Sequence, residues 1–231
     1  MADILLVHGS CHGAWCWRDT VPALERLGHD ARAIDLPSHG ADPTPVGEVT
    51  LQGYAEAIVA ALGPRTVLVA HSMAGFPATL AARLAPERIQ RLVYLCAYVP
   101  ISGMTLADMR RMSPNQPLVE AIRKAPDGVT MTIDPALAAG KFFNDCPPET
   151  AAWAVSMLGP QPLLPQETPF PEGPAPDVPR SYIRCARDNA VPPDLQERMS
   201  DGWEDVTELP TSHSPFLSAP DLLAATIDER L

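Results

Sequence analysis

Six short, mostly apolar runs punctuate the chain: Ile4 to Val7, Ala31 to Ile34, Val67 to Val69, Ile89 to Leu95, Tyr182 to Cys185 and Val206 to Leu209. Runs of this length without a polar alternation read as strands buried on both faces. Between them the apolar positions change period. Trp17, Val21, Leu24 and Leu27 recur every three or four residues until Gly28, and Leu51, Tyr54, Ile58 and Leu62 do so after a Pro- and Gly-rich loop from Pro37 to Gly47. Both patterns predict helices with one apolar face. Phe76 to Ala85, Pro193 to Ser200 and Pro220 to Leu231 read as further helices. Strands alternating with helices in this way predict an α/β fold, a doubly wound and mainly parallel sheet covered on both faces.

The rhythm breaks between Pro100 and Pro179. Helical patterns occur at Met104 to Arg111, Leu118 to Lys124, Pro135 to Phe143 and Pro148 to Leu158, with no convincing buried strand among them. The expected organisation is therefore a core formed by residues 1–99 and 180–231, with a helical cap inserted over 100–179. The proline-dense end of that insertion, Gly159 to Pro179, predicts extended and stiff chain returning to the sheet.

Composition narrows the class. A chain of 231 residues, 46% hydrophobic and 19% charged, suits one large core, and no window holds the roughly 18 uninterrupted apolar residues of a membrane span. A formal net charge of -11 argues against binding nucleic acid or an anionic lipid surface, so the expected partner is a small molecule, with a homodimer left open. Five scattered cysteines, an odd number, read as buried thiols in a reducing compartment. With no basic segment leading into a long apolar one at the N-terminus, a cytoplasmic location is expected. Cys11, His12 and Cys16 have no second cluster at ligand spacing, so neither a metal nor a cofactor is expected.

The candidate chemistry starts at Ser72, where the strand Val67 to Val69 gives way through Ala-His-Ser-Met-Ala-Gly to a helix. A serine on a sharp strand-to-helix turn is held in a strained backbone with its hydroxyl presented, provided that the residues two before and two after it are small; here they are Ala70 and Ala74. A serine hydroxyl is a weak nucleophile and needs a histidine base, itself oriented by a carboxylate. Asp188 follows the Tyr182 to Cys185 strand and His213 follows the Val206 to Leu209 strand, both at strand ends. In isolation Asp188 reads equally as a turn-former and His213 as a loop histidine; their order after Ser72 is what marks them. Met73, directly after the nucleophile, is one expected amide donor to an oxyanion. His71 lies on the wrong side of the turn to be the base, His12 reads as structural, and His29 and His39 as surface or loop histidines. In the insertion, Phe142, Phe143, Trp153, Met157 and Leu158 are candidates to line an apolar pocket or to form the cap's own core.

Three segments carry a resemblance: Leu-Val-His-Gly-Ser-Cys-His-Gly-Ala-Trp-Cys-Trp (Leu6 to Trp17), Ala-His-Ser-Met-Ala-Gly (Ala70 to Gly75) and Gly-Pro-Gln-Pro-Leu (Gly159 to Leu163). With them the chain resembles the α/β-hydrolases related to plant hydroxynitrile lyases and methylesterases, together with bacterial esterase relatives. The resemblance implies Ser72, Asp188 and His213 as a triad, with the Ser10 and Met73 amides as oxyanion donors. In the cyanogenic lyases of that family a threonine in the first loop and a lysine after the histidine assist cyanohydrin cleavage. Gly9 and Ser214 stand at the matching positions here, so a serine carboxylesterase acting on small apolar or aryl esters is the expected activity. A carbon-carbon lyase or hydrolase using the same residues, and a ligand-binding protein with vestigial esterase activity, are the alternatives.

Overall fold

The computed structural model of the chain describes every residue, 1–231. Strands β1 (Asp3–Val7), β2 (Asp30–Ile34), β3 (Thr66–His71) and β4 (Ile89–Leu95) alternate with helices α1 (Thr20–Arg26), α2 (Leu51–Ala61) and α3 (Gly75–Leu84). An insertion follows, containing α4 (Leu106–Arg110), β5 (Ile122–Lys124), β6 (Thr130–Ile133), α5 (Pro135–Phe142), α6 (Pro148–Met157), β7 (Gln161–Pro162) and α7 (Leu164–Glu167). The chain then returns through β8 (Arg180–Cys185), α8 (Pro193–Met199), β9 (Val206–Leu209), α9 (Pro215–Ser218) and α10 (Pro220–Asp228).

The main sheet has six parallel strands in the order β2-β1-β3-β4-β8-β9. Successive strand residues point to opposite faces, and both faces are apolar. Leu5, Val7, Leu68, Ala70, Leu92 and Tyr94 join the core that packs α2 and α3. Ile4, Leu6, Val67, Val69, Val93 and Leu95 join the core that packs α1 and α10. Burial on both sides explains why β1 and β3 carry continuous apolar runs. Strand order reverses between β1 and β3, and the loops leaving these neighbours diverge there. In open parallel sheets that crevice beyond the strand ends is where a ligand site can be built.

The insertion corrects one expectation: the cap is not purely helical. Residues 118–124 form a short 3-10 turn and then β5, which pairs antiparallel with β6; β6 in turn pairs with β7. The segment after Gly159 is also less uniform than its prolines suggest, since β7 and α7 both lie within it. No helix is long and apolar enough to cross a membrane.

Candidate active site

Ser72 begins the tight turn between β3 and α3. Its φ of 56° lies in the left-handed region, a conformation that costs a non-glycine residue about 1–3 kcal/mol. Packing holds it there. Ala70 and Ala74 are fully buried, but the closest approach is at Gly75, where an added Cβ would collide with the Tyr98 carbonyl oxygen. The Tyr98 amide donates to Ser72 O at 3.1 Å, tying the turn to the chain leaving β4.

Asp188 and His213 meet on the loops beyond β8 and β9. His213 Nδ1 donates to Asp188 Oδ2 at 2.7 Å, with both side chains buried. The other carboxylate oxygen is fixed as well: Asp188 Oδ1 accepts from the amides of Ala190 at 2.7 Å and Val191 at 2.8 Å. Gln196 completes the clamp. Its Nε2 donates to Asp188 Oδ2 at 3.1 Å and to Val191 O at 2.7 Å, while its Oε1 accepts from Cys185 N at 2.8 Å. A fully buried glutamine on α8 thus locks the carboxylate to the end of β8. A single glutamine in a helix carries no sequence signal of this role. With Nδ1 committed to Asp188, Nε2 is the ring nitrogen left for chemistry. Ser72 Oγ makes no hydrogen bond to it in this conformation; in such sites that contact commonly tightens only with substrate bound. The loop that carries His213 packs against the Ser72 turn: His71, adjoining Ser72, donates from Nε2 to His213 O at 2.9 Å, and the two imidazole rings lie 4.5 Å apart. Ser72 and His213 are only 7% and 1% exposed.

The loop after β1 runs beside this turn. Gly9 sits so tightly that a Cβ would lie 2.8 Å from both Ser72 Cβ and His71 Nδ1. The next amide, Ser10 N–H, has no acceptor within the protein. The cap fixes this loop: Gln166 Nε2 donates to Ser10 Oγ at 2.8 Å, Gln161 Oε1 accepts from Cys11 N at 3.2 Å, and Gly159 N donates to Cys11 O at 2.9 Å. It also fixes the other two loops. Asp145 Oδ2 accepts from Ser212 N at 2.7 Å, Asn144 donates to Arg187 O at 3.1 Å, and Asn189 donates back to Gly140 O at 3.0 Å.

Gln161 is the hub of the cap contacts. Fully buried, its Oε1 also takes His39 Nε2 at 3.1 Å, and its Nε2 donates to Pro162 O at 3.0 Å. Truncating it strands buried partners on both sides. Gln161→Ala is expected to lower unfolding free energy by about 1–3 kcal/mol, read as a lower urea midpoint at constant slope. An unchanged midpoint would mean that the cap does not depend on this hub.

The five cap residues proposed for a pocket part company. Phe142 stacks on His213 with centroids 5.5 Å apart, and Phe143 meets His12 edge-on at 5.8 Å. Trp153 lies farther out, edge-on to Trp15 at 5.4 Å and under the Arg18 guanidinium at 3.7 Å. Met157, 40% exposed, lines an outer cleft of about 570 Å³ with His12, Trp15, Asp35 and His39. Leu158 packs partly buried against the core. Asp35 is a loop staple, accepting from Ala14 N at 2.6 Å and Ala41 N at 3.0 Å. His39 is in a loop, yet it is buried.

Four histidines are driven towards neutrality by burial: His8 and His71 well below the usual imidazole value, His39 below it, and His12 to about 3. Neighbouring histidines push His8, His12 and His71 further down. Because the folded values are lowered, the unfolded chain binds more protons below about pH 6.5, so stability is full above that pH and is lost as pH falls. Each of these groups contributes up to about 1.4 kcal/mol per pH unit in that window. The urea midpoint is expected to fall steeply between pH 7 and pH 5; a flat profile would contradict buried neutral histidines.

One ligand atom each from His71, Cys96 and His213 lies within 4.8 Å of the others. The donor set does not suit a metal. His213 Nδ1 is already committed to Asp188, and burial pushes the Cys96 thiol well above its usual range, whereas a metal needs the thiolate.

A strained serine at the β3 turn, with a carboxylate-histidine pair beyond β8 and β9, is the arrangement of one fold family. Residues 4–226 match the alpha/beta hydrolase family, and the chain belongs to it. Within that family the chain is similar to esterases. It is 33% identical to Esterase PIR7B of Oryza sativa subsp. japonica over 84% of this chain and 81% of that one, and 30% identical to Methylesterase 7 of Arabidopsis thaliana over 97% and 94%. Among solved structures, a pyrethroid hydrolase from Sphingobium faniae JZ-2 superposes with a TM-score of 0.85 at 28% identity, covering 99% of this chain and 96% of that one.

Proposed function

We propose that the protein is a serine carboxylesterase working through an acyl-enzyme. Ser72 Oγ attacks the ester carbonyl as His213 Nε2 takes its proton. The oxyanion of the tetrahedral intermediate is met by the Ser10 and Met73 amides. Collapse breaks the ester C–O bond and returns the proton from His213 to the departing alcohol. Water, deprotonated by His213, then attacks the acyl carbon and releases the acid and Ser72. Asp188 holds the Nδ1–H tautomer throughout and stabilises the imidazolium. The observation that carries this reading is the 2.7 Å Asp188–His213 bond, set on loops opposite a serine with φ of 56°.

Phe142, stacked on His213, offers an apolar wall beside the reacting group and favours esters with an aryl or compact apolar substituent. Two positions favour hydrolysis over cyanohydrin cleavage. Gly9 has no side chain to assist, and a threonine there would need Ser72 or His71 to shift. Ser214 is fully buried and brings no positive charge for a departing cyanide. The names of the esterase relatives point the same way.

A turnover panel of methyl, aryl and bulky esters, with matched amides and mandelonitrile, tests this reading. Ester hydrolysis exceeding amide and cyanohydrin cleavage by orders of magnitude is expected. Cleavage of mandelonitrile without ester turnover would overturn it.

A further inference from the structure

A second cavity, of about 290 Å³, lies inside the cap between α4, the β5-β6 pair and α7. Its walls are mixed. Ile122, Met131 and Leu163 supply apolar surface, and Gln166 closes one side. Three cations, Arg110, Arg111 and Lys124, face one carboxylate, Glu167. In a chain of net charge -11, this is a local excess of positive charge.

The three cations are not equivalent. Lys124 Nζ is paired with Glu167 Oε1 at 3.2 Å, and Arg111 Nη1 with Asp108 Oδ1 at 2.8 Å. The Arg110 side chain makes neither a hydrogen bond nor an ion pair, although it is only partly exposed. Its guanidinium presents five donors in a planar fork that suits a carboxylate. Its charge also reaches inward: burial pushes the Tyr98 phenol up to about 12, and Arg110 opposes that rise. Tyr98 is the residue whose amide holds Ser72 O. Helix α4, which carries Arg110, buries Leu106 and Met109 in the same core as Tyr98 and Met73.

Gln166 connects this cavity to the chemistry. The same side chain that lines it donates to Ser10 Oγ at 2.8 Å on the loop beside Ser72. Ser72 is not itself a lining residue; the Gln166 side chain is the contact from this cavity to the loop that carries Ser10.

We infer that the cap cavity holds the far end of the substrate, and that the substrate class is a carboxylic ester carrying a second, anionic carboxylate, bound by Arg110 while its ester carbonyl reaches Ser72 past Gln166. This rests on the esterase reading above. It adds what that reading leaves open, namely a charged anchor at the end of an apolar chain. Lys124 and Arg111, being paired and more exposed, act at the cavity rim by attracting the anion rather than by holding it.

The test compares p-nitrophenyl half-esters of straight-chain diacids, from succinic to suberic acid, with neutral p-nitrophenyl esters of equal chain length. The wild-type protein is expected to prefer the anionic member at the best length by about tenfold or more in kcat/KM, mainly through KM. In Arg110→Gln that ratio should collapse towards one, and Arg110→Lys should restore part of it. No preference in the wild type, or a preference that survives Arg110→Gln, would overturn the inference. Calorimetric titration with glutarate separates this from the esterase reading. Loss of glutarate binding on Arg110→Gln supports the site even if no ester is turned over, and absent or unaltered binding counts against it even if neutral esters are hydrolysed.

Discussion

Replacing Ser72 by alanine is expected to lower kcat for ester hydrolysis by about 10⁶-fold, the cost of removing the nucleophile from such a site. Alanine keeps the Cβ, so the packing around Ala70, Ala74 and Gly75 survives, and the residue at φ 56° carries similar strain. The hydroxyl makes no hydrogen bond within the protein, so folding loses no partner when it goes. Thermal midpoints of the two proteins should therefore lie within a few degrees of each other. A large loss of turnover at nearly constant stability separates chemistry from folding. Retention of more than a few per cent of activity on p-nitrophenyl esters would place the nucleophile elsewhere.

The second large effect is expected at Asp188. In Asp188→Asn the Oδ1 position still has to accept from the Ala190 and Val191 amides, which forces the new NH2 group towards His213 Nδ1 and Gln196 Nε2. Both contacts are then wrong. The NH2 meets the Gln196 amide as donor against donor, and it compels His213 to carry its proton on Nε2, where it cannot accept from Ser72. A loss of about 10⁴-fold in kcat follows, with geometry otherwise preserved. Nitrogen-15 chemical shifts of the His213 ring should report the tautomer change. Activity within tenfold of wild type, or an unchanged tautomer, would show that Asp188 is not the residue that orients the base.

The main sheet was legible in the chain because burial on both faces makes its strands read as apolar runs such as Ile4 to Val7 and Val67 to Val69. The cap sheet was hidden for the opposite reason. Its strands are two to four residues long, and Leu118, Val119 and Ile122 recur at spacings that imitate a helix. Burial shows the true period in β6, where Met131 and Ile133 point in while Thr132 points out. Turn residues were readable in part: Ala70 and Ala74 announced close packing, but the need for glycine at residue 75 depends on Tyr98, more than twenty positions later.

The candidate site was legible where order along the chain determines position. Asp188 and His213 follow successive strands of a parallel sheet, so their loops emerge at the same edge as the Ser72 turn. What the order could not reveal is the polar scaffold that fixes these groups. Gln196 behind Asp188, Asp145 behind Ser212, and Gln161 and Gln166 above the β1 loop are isolated polar residues in sequence. Each becomes paired only through contacts made across the fold, and pairs so distant in the chain have no short-range pattern. The unpaired state of Arg110 is likewise a property of the folded cap, visible only once the partners of Arg111 and Lys124 are known.

Rapid-quench intact-mass spectrometry with p-nitrophenyl butyrate, followed by peptide mapping, tests directly whether Ser72 is acylated during turnover. A transient butyryl adduct is expected on the peptide that contains Ser72, accumulating in the first turnover and decaying with the rate of acid release. Turnover without an adduct, or an adduct on another residue, would contradict it.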